Sequence, residues 1–369
     1  MRSLIVILAL GSCLGLIGCG GASLSRSSVK PVPPPAGGEV TPNYFSPSFQ
    51  TPYKAFMQQV VQHYGSNPSV GYIRFGLAQG GETYPNLGFD TDATCSDAFT
   101  GWGWTPTTWV DYLTMMLGYE ETLKSPAKLM VGLNTVNLDT GIPDQVAAYA
   151  VSQHIGFGSQ GLQQSDISNF DSGAPCTADW CSLFDTYHGQ VTPLELQTAT
   201  QSDPSGGGVT GSLVTLLPFA VENHATSLEL YYEDWLTAFD PSYPGYTASY
   251  ATAIQSAAQG AQMQVVFPPI AGSDADSIQT YVMNNQAAPA TGAVMLIQWA
   301  AVDQGPSANP QYVWTSVDSA IQPWVAAGKK VNLVVWPVAD SASNTATPAY
   351  VLNSLGSTNT TTCNNGSGQ

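Results

Sequence analysis

What most constrains this chain is a repeated alternation: eight short apolar runs, each too short for a buried helix, separated by stretches of helical periodicity. The runs cover 70–77, 128–134, 155–162, 193–199, 227–235, 263–268, 292–299 and 331–338. Helical patterns occupy 107–123, 143–154, 211–224, 249–260, 274–285 and 313–327, and a further one, 53–64, precedes the first run. Strands joined through helices pair in parallel, and a parallel sheet needs both faces covered. Eight such units give an α/β domain closed into a (β/α)8 TIM barrel, with any active site at the C-terminal ends of the strands. An open doubly wound sheet would more often place a glycine-rich phosphate loop after its first strand, and Gly80-Gly81 is too little for that.

The 369 residues carry 26 acidic and 9 basic side chains, a formal net charge of −17. A field of that sign repels a phosphate backbone, so nucleic acid is not an expected partner. Only 9% of residues are charged, so Ser, Thr, Asn and Gln must keep the surface soluble, as suits an exported protein. The N-terminus agrees with export: Arg2 precedes apolar runs at 4–10 and 14–17, a secretory signal rather than a membrane span. Leu16-Ile17-Gly18-Cys19 resembles the bacterial lipobox, which implies cleavage before Cys19, acylation of its thiol and a lipid anchor in the envelope. Gly20 stands where an inner-membrane retention signal has Asp, which favours the outer membrane. The expected division is a signal peptide over 1–18, a flexible Ser-, Pro- and Gly-rich tether over 19–43, and one monomeric barrel domain over 44–369.

Without the signal cysteines, Cys95, Cys176, Cys181 and Cys363 remain. An even number in an oxidising compartment favours two disulfides, with three possible connectivities. No His pair at ligand spacing accompanies them, so neither a metal nor an organic cofactor is expected. His63, His154 and His224 fall near helix C-termini and read as structural, while His188 has no assigned role.

Three C-terminal stretches carry a resemblance: Trp299-Ala300-Ala301-Val302-Asp303-Gln304-Gly305, Tyr312-Val313-Trp314-Thr315-Ser316-Val317-Asp318 and Gly328-Lys329-Lys330-Val331-Asn332-Leu333. They resemble the second and third barrel units of clan A glycoside hydrolases, where these units lie near the start of the domain. Tyr64-Gly65-Ser66-Asn67-Pro68-Ser69-Val70-Gly71-Tyr72-Ile73-Arg74-Phe75-Gly76 resembles the clan's passage from helix 3 to strand 4. The reversed order implies a circular permutation, in which the chain enters near helix 3 and strand 4 and ends after strand 3. Family strands 1, 4, 7 and 8 would then start at Met263, Val70, Pro193 and Ser227. The likeness covers most of the mature chain in pattern, through a few short specific motifs.

The resemblance implies retaining hydrolysis of a β-linked oligo- or polysaccharide by two glutamates. Glu82, after strand 4, takes the acid/base position, and Glu195, on strand 7, that of the nucleophile. Gly81 departs from the clan, which has Asn directly before the acid/base. Glu229 is the alternative nucleophile if the strand count shifts by one, and Trp235 matches the sugar platform on the clan's strand 8. Alternation supports these positions, setting Glu195 and Gln197 on one face against Leu194 and Leu196. It likewise turns Glu229, Tyr231 and Glu233 one way, and sends Tyr72 and Arg74 inward, where Arg74 is expected to keep Glu195 ionised. Trp102, Trp104, Tyr84, Trp235, Trp299 and Trp336 are candidates for stacking on sugar rings, and Asn134, Gln160, Gln197 and Gln298 for holding hydroxyls. In the permuted order Cys363 follows strand 3 and Cys95 follows strand 4, implying the pairs Cys95–Cys363 and Cys176–Cys181 and placing both termini at the catalytic face. Two rivals stay open: a noncatalytic carbohydrate-binding lipoprotein, whose carboxyls would be out of mutual reach, and a surface-interaction lipoprotein, which would lack a cleft.

Overall fold

The computed structural model describes residues 39–136, 141–339 and 346–363. The expected signal peptide, Cys19 and the expected tether as far as residue 38 lie outside the described residues. Among the described residues ten strands run in the order β1 (Glu39–Pro42), β2 (Val70–Phe75), β3 (Lys128–Leu133), β4 (Gly156–Leu162), β5 (Leu194–Thr198), β6 (Ser227–Tyr231), β7 (Gln262–Val266), β8 (Gly292–Gln298), β9 (Lys330–Trp336) and β10 (Thr360–Cys363). Strands β2 to β9 close into one barrel in sequence order, every neighbouring pair parallel. All eight expected runs are therefore barrel strands. One is overextended: the run 227–235 stops as a strand at Tyr231, and Tyr232–Phe239 is a helix.

Closure pairs β2 with β9, Val70 opposite Val331 and Arg74 opposite Val334. The permuted reading requires this pairing, but so does any eight-strand barrel, so it bears on closure and not on permutation. More telling is the order of elements. Helix Pro47–Tyr64, started by Ser46 accepting from the Ser48 N–H and by Pro47 in the first turn, precedes β2. It runs down the seam between the first and last barrel strands. At its upper half Tyr53 donates to the Gly76 carbonyl just past β2 (2.6 Å), and at its lower end Tyr64 donates to Asp318 on helix Thr315–Ala326 (2.8 Å). After β9 the described residues hold a short helix, Ala349–Leu355, which packs on Pro47–Tyr64, and then β10, which lies outside the barrel. The units thus read helix then strand around the barrel.

β1 and β10 pair antiparallel, Glu39 opposite Cys363, as a ribbon beside the loop that leaves β2. Asn86 of that loop donates to Thr41 (2.7 Å). Residues 39–42 fall in the stretch expected to be tether, and are instead paired because β10 supplies a partner edge. Cys95–Cys363 fastens the ribbon to helix Ala93–Gly101, and Cys176–Cys181 closes a short loop, so both expected disulfides form. Among the described residues, no helix is long and apolar enough to cross a membrane.

Outward strand residues such as Ile73, Phe75, Leu194, Leu196, Leu228 and Met263 pack under the helices with Trp109, Trp180, Trp235 and Trp299, all fully buried. Burying each such side chain stabilises the fold by about 1.5–3 kcal/mol. The barrel interior differs from one side to the other. Toward the ends of β7–β9 it is apolar, with Val266, Val294, Val334 and Trp336 in one cluster, above a deeper layer that holds the buried amides Gln264 and Asn332. Toward β2, β5 and β6 it holds Tyr72, Arg74, Glu195, Gln197 and Glu229, all buried.

Candidate functional site

Arg74 organises the polar half of the barrel. Its Nη1 donates to Glu195 Oε2 on β5 (2.9 Å) and to Glu229 Oε2 on β6 (3.2 Å), and its Nη2 reaches Gln197 Oε1 (3.4 Å). Tyr72 donates to the other oxygen of Glu229, and Gln197 donates to the Tyr231 hydroxyl (3.3 Å). Side chains from β2, β5 and β6 meet this way only inside the barrel, as the alternation of each strand requires. Room for them comes partly from β4: a Cβ on Gly158 would lie 2.2 Å from the Glu195 carbonyl oxygen and 2.7 Å from Glu195 Oε2.

The charges in this network do not cancel one for one. Arg74 and both glutamates are wholly buried, with one guanidinium facing two carboxyls. Burial pushes the Glu195 carboxyl well up, neighbouring Glu229 adds to the rise, and Arg74 opposes it without reversing it. The expectation that Arg74 keeps Glu195 ionised is corrected: Glu195 is driven toward its protonated form, because burial and the neighbouring Glu229 together outweigh the one guanidinium. For Arg74 itself, burial acts downward, but the attraction of Glu229 and Glu195 prevails and holds the guanidinium charged.

Glu82 belongs to a different level. A tight turn past β2, with the Ala78 N–H donating to the Glu82 carbonyl (3.0 Å) and the Glu82 N–H to that of Gln79 (3.2 Å), sets its side chain over the end of β3. There Asn134 Nδ2 donates to Glu82 Oε2 (2.7 Å). Gly81 has a structural reason to differ from Asn: its φ is +80°, and a Cβ would lie 2.6 Å from the Trp336 indole. An amide still stands beside the Glu82 carboxyl, contributed by the neighbouring strand's exit.

Two cavities open at this end of the barrel, and Glu82 lines both. The larger, about 200 Å³, is walled by Glu82, Asn134, Ser159, Gln160, Gly161, Thr177, Gln197, Ala199 and Tyr231. The smaller, about 80 Å³, lies between Glu82, Gln79, Gly80, Tyr84, Leu87 and Gln160. Thr177 enters the wall because Asp166 accepts from its N–H (2.8 Å) and hydroxyl (2.9 Å), within the loop that Cys176–Cys181 closes.

Of the residues singled out from sequence, Glu82, Asn134, Gln160, Gln197 and Tyr231 share the larger cavity. Arg74, Glu195 and Glu229 lie in the buried network beneath, joined to it through Gln197. Trp336 ends β9 at the mouth, 8% exposed. Two tryptophans are corrections. Trp299 is fully buried against Phe49, Tyr53 and Phe56, its indole N–H on Asp303 (3.0 Å), and is core rather than sugar platform. Trp235 is equally buried on helix Tyr232–Phe239, stacked on Phe239 with its indole N–H on the Gln264 carbonyl (3.3 Å). Both sit just past a strand end, where the chain has already turned into helix and the side chain swings to the outer layer. Sequence reading passed over Ser159, Thr177 and Leu87 in the walls; Ser159 has the weakest excuse, standing beside Gln160 on a recognised strand.

No family model, no curated protein and no solved structure matches the chain.

Proposed function

We propose that this protein is a retaining glycoside hydrolase acting on a β-linked saccharide, built on a circularly permuted clan A barrel and anchored by lipid at Cys19. The helix-first order of the barrel and the ribbon that gathers both ends at the loop after β2 support the permutation. The observation that carries the function is the place of Glu82. Its carboxyl lies between two cavities, as an acid acting on a bond needs to be when the two bonded groups occupy separate compartments. The larger cavity is lined by amides and hydroxyls suited to a sugar ring, and at about 200 Å³ it lies below the roughly 300–1,000 Å³ of drug-sized sites. One ring fits the reading better than several.

In this mechanism Glu82 gives its proton to the glycosidic oxygen while a carboxylate attacks the anomeric carbon and the carbon–oxygen bond to the leaving group breaks. Water then attacks the same carbon, Glu82 takes its proton, and the ester to the enzyme is released with retained configuration. Glu195 is the first candidate for the attacking carboxylate, a role that requires it to be ionised against the burial that raises it, and Glu229 is the second. A second reading, sugar binding without turnover, has an observation of its own: neither Glu195 nor Glu229 lines the cavity, and Gln197 lies in the wall above them.

A panel of aryl β-glycosides separates the readings. Hydrolysis lost in Glu195→Ala and restored by azide as an inverted glycosyl azide assigns the nucleophile, and the same result in Glu229→Ala moves it to β6. Glu82→Ala is expected to slow substrates with poor leaving groups by about 10²–10⁴-fold and to spare activated ones. Saturable binding of a saccharide with no turnover of any substrate in the wild type favours the noncatalytic reading, and absence of both binding and turnover removes the carbohydrate proposal altogether.

A further inference from the structure

Far from the mouth, folding brings together three metal-ligating side chains that the sequence keeps apart. His188 caps the C-terminal end of helix Trp180–Tyr187, and His224 follows helix Leu213–Glu222. Both stand just before barrel strands, β5 and β6, and therefore at the face opposite the cavities. Their imidazoles lie parallel, with centroids 4.0 Å apart and planes at 11°. With Asp185 they offer one ligand atom each, all within 4.8 Å of one another.

We propose that Asp185, His188 and His224 bind a divalent cation of the zinc class. The hydrogen bonds select the free atoms. His188 Nδ1 lies 2.6 Å from the Asp185 backbone carbonyl, which can only accept, so Nδ1 carries the hydrogen and Nε2 keeps its lone pair. A ligating imidazole is commonly oriented in this way, through a donor bond from its other nitrogen. His224 Nε2 lies 3.7 Å from Asp185 Oδ1, too far for a good hydrogen bond. It is close to the ~3.3 Å that separates two ligand atoms sharing one tetrahedral zinc with bonds of about 2.0–2.1 Å. The two parallel rings do not yet aim their lone pairs at one point, so one of them must rotate about its side-chain bonds to share the ion, and the exposure of the group leaves room for this: Asp185 is 81% and His224 39% exposed.

The surroundings favour a cation as well. Two helix C-termini converge here, and their backbone dipoles place partial negative charge on the site. His224 holds a backbone φ of +72°, a conformation costly for a residue other than Gly or Asn, and this turn presents its ring to His188. Two imidazoles and one carboxylate match zinc-type chemistry better than calcium or magnesium, which prefer oxygen alone. Three protein ligands leave a fourth position for water, and with the cavities on the other face the ion would staple two neighbouring barrel units rather than act on substrate.

The test is zinc titration of the untagged full chain by calorimetry, with metal content of the dialysed protein as a second readout. One equivalent is expected to bind, and to raise the melting temperature by mass action. His188→Ala and His224→Asn should each weaken binding at least ~100-fold and abolish the thermal shift; Asn suits the left-handed backbone at 224, so this variant retains the fold. Asp185→Asn should weaken binding about 10-fold. Binding that persists unchanged in His224→Asn, or a wild type that takes up no zinc below millimolar concentration, overturns the proposal and leaves the two rings as a packing contact.

Discussion

Replacing Arg74 with Met removes the cation from the buried carboxyl pair while nearly preserving side-chain volume. Arg74 donates to Glu195, Glu229 and Gln197 at 2.9, 3.2 and 3.4 Å, and all three charged groups are shielded from water. Removing one partner from a buried ion pair costs about 3–5 kcal/mol, because the remaining charge has neither solvent nor counterion. At ~2.1 cal/mol/K per residue over roughly 320 folded residues, this lowers the melting temperature by about 4–7 °C. The loss should depend on pH in a definite direction. Burial and Glu229 already push the Glu195 carboxyl up, and without Arg74 it rises further. A group raised in the folded state stabilises fully below its unfolded pKa, and that contribution is lost as pH rises through the folded value. The variant's deficit should accordingly be largest above pH 7 and shrink toward pH 4.5. Urea unfolding followed by tryptophan fluorescence at both pH values measures it. A deficit under ~1 kcal/mol, or one equal at the two pH values, would refute the account of a carboxyl pair held by one guanidinium.

Glu120, on helix Pro106–Thr122, is buried with neither carboxyl oxygen hydrogen-bonded to protein, and burial pushes its pKa well up. Glu120→Leu should therefore stabilise the fold by ~1–3 kcal/mol at pH 7, with less gain near pH 4 where the carboxyl is protonated in both states; thermal melts at the two pH values check this. Burial also raises the Asp234 carboxyl to about 7, against the hydrogen bonds from Ser202 that lower it. Its contribution is complete below pH ~4 and lost by pH ~7, so Asp234→Asn should flatten the stability profile across that window by up to ~4 kcal/mol, read from urea midpoints. Cys95–Cys363 spans a separation of 268 residues and Cys176–Cys181 one of 5, for which loop entropy predicts ~5–6 and ~2 kcal/mol. Cys363→Ser should thus lower the melting temperature more than Cys176→Ser, and the reverse order would contradict the assignment of Cys95–Cys363 as the fastening of the terminal ribbon.

The barrel was legible because each of its strands carries an apolar outer face of the right length, and that signal is local. What was lost lies at strand ends, where local signals conflict. Glu229, Tyr231 and Glu233 continue an alternation past the point where β6 stops, so a strand pattern concealed the helix that carries Trp235. Parity distinguishes the tryptophans that aromatic content alone does not. Trp336 shares the parity of Asn332 and Val334, inside the barrel, whereas Trp299 shares that of Met295 and Ile297, which pack in the outer layer. Long-range encounters were beyond reach for another reason. Nothing in the spacing of His188 and His224 announces a contact, because the geometry of adjacent helix ends supplies it.

The polarity of the barrel interior is the feature that folding alone does not explain. A barrel of this size is filled most simply by branched apolar side chains, as the layer of Val266, Val294 and Val334 on its β7–β9 side shows. On the other side the chain buries an arginine, two glutamates, a glutamine and a tyrosine, and burial of charge is unfavourable unless fully compensated. Compensation here is incomplete: Glu195 Oε1 and Arg74 Nε have no protein partner. The network lies directly under the cavity, connected through Gln197 to Tyr231, both of which also line the cavity wall. A destabilising, under-satisfied cluster placed beneath a cavity that Glu82 lines is the pattern expected of a site under functional constraint. Glu82 supplies the reachable carboxyl, and the buried pair supplies a second charge whose protonation the cavity contents can influence. Because Gln197 both lines the cavity and accepts from Arg74, an occupant that displaced Gln197 would alter the surroundings of the buried pair, which is the link between ligand binding and that pair under the proposed function.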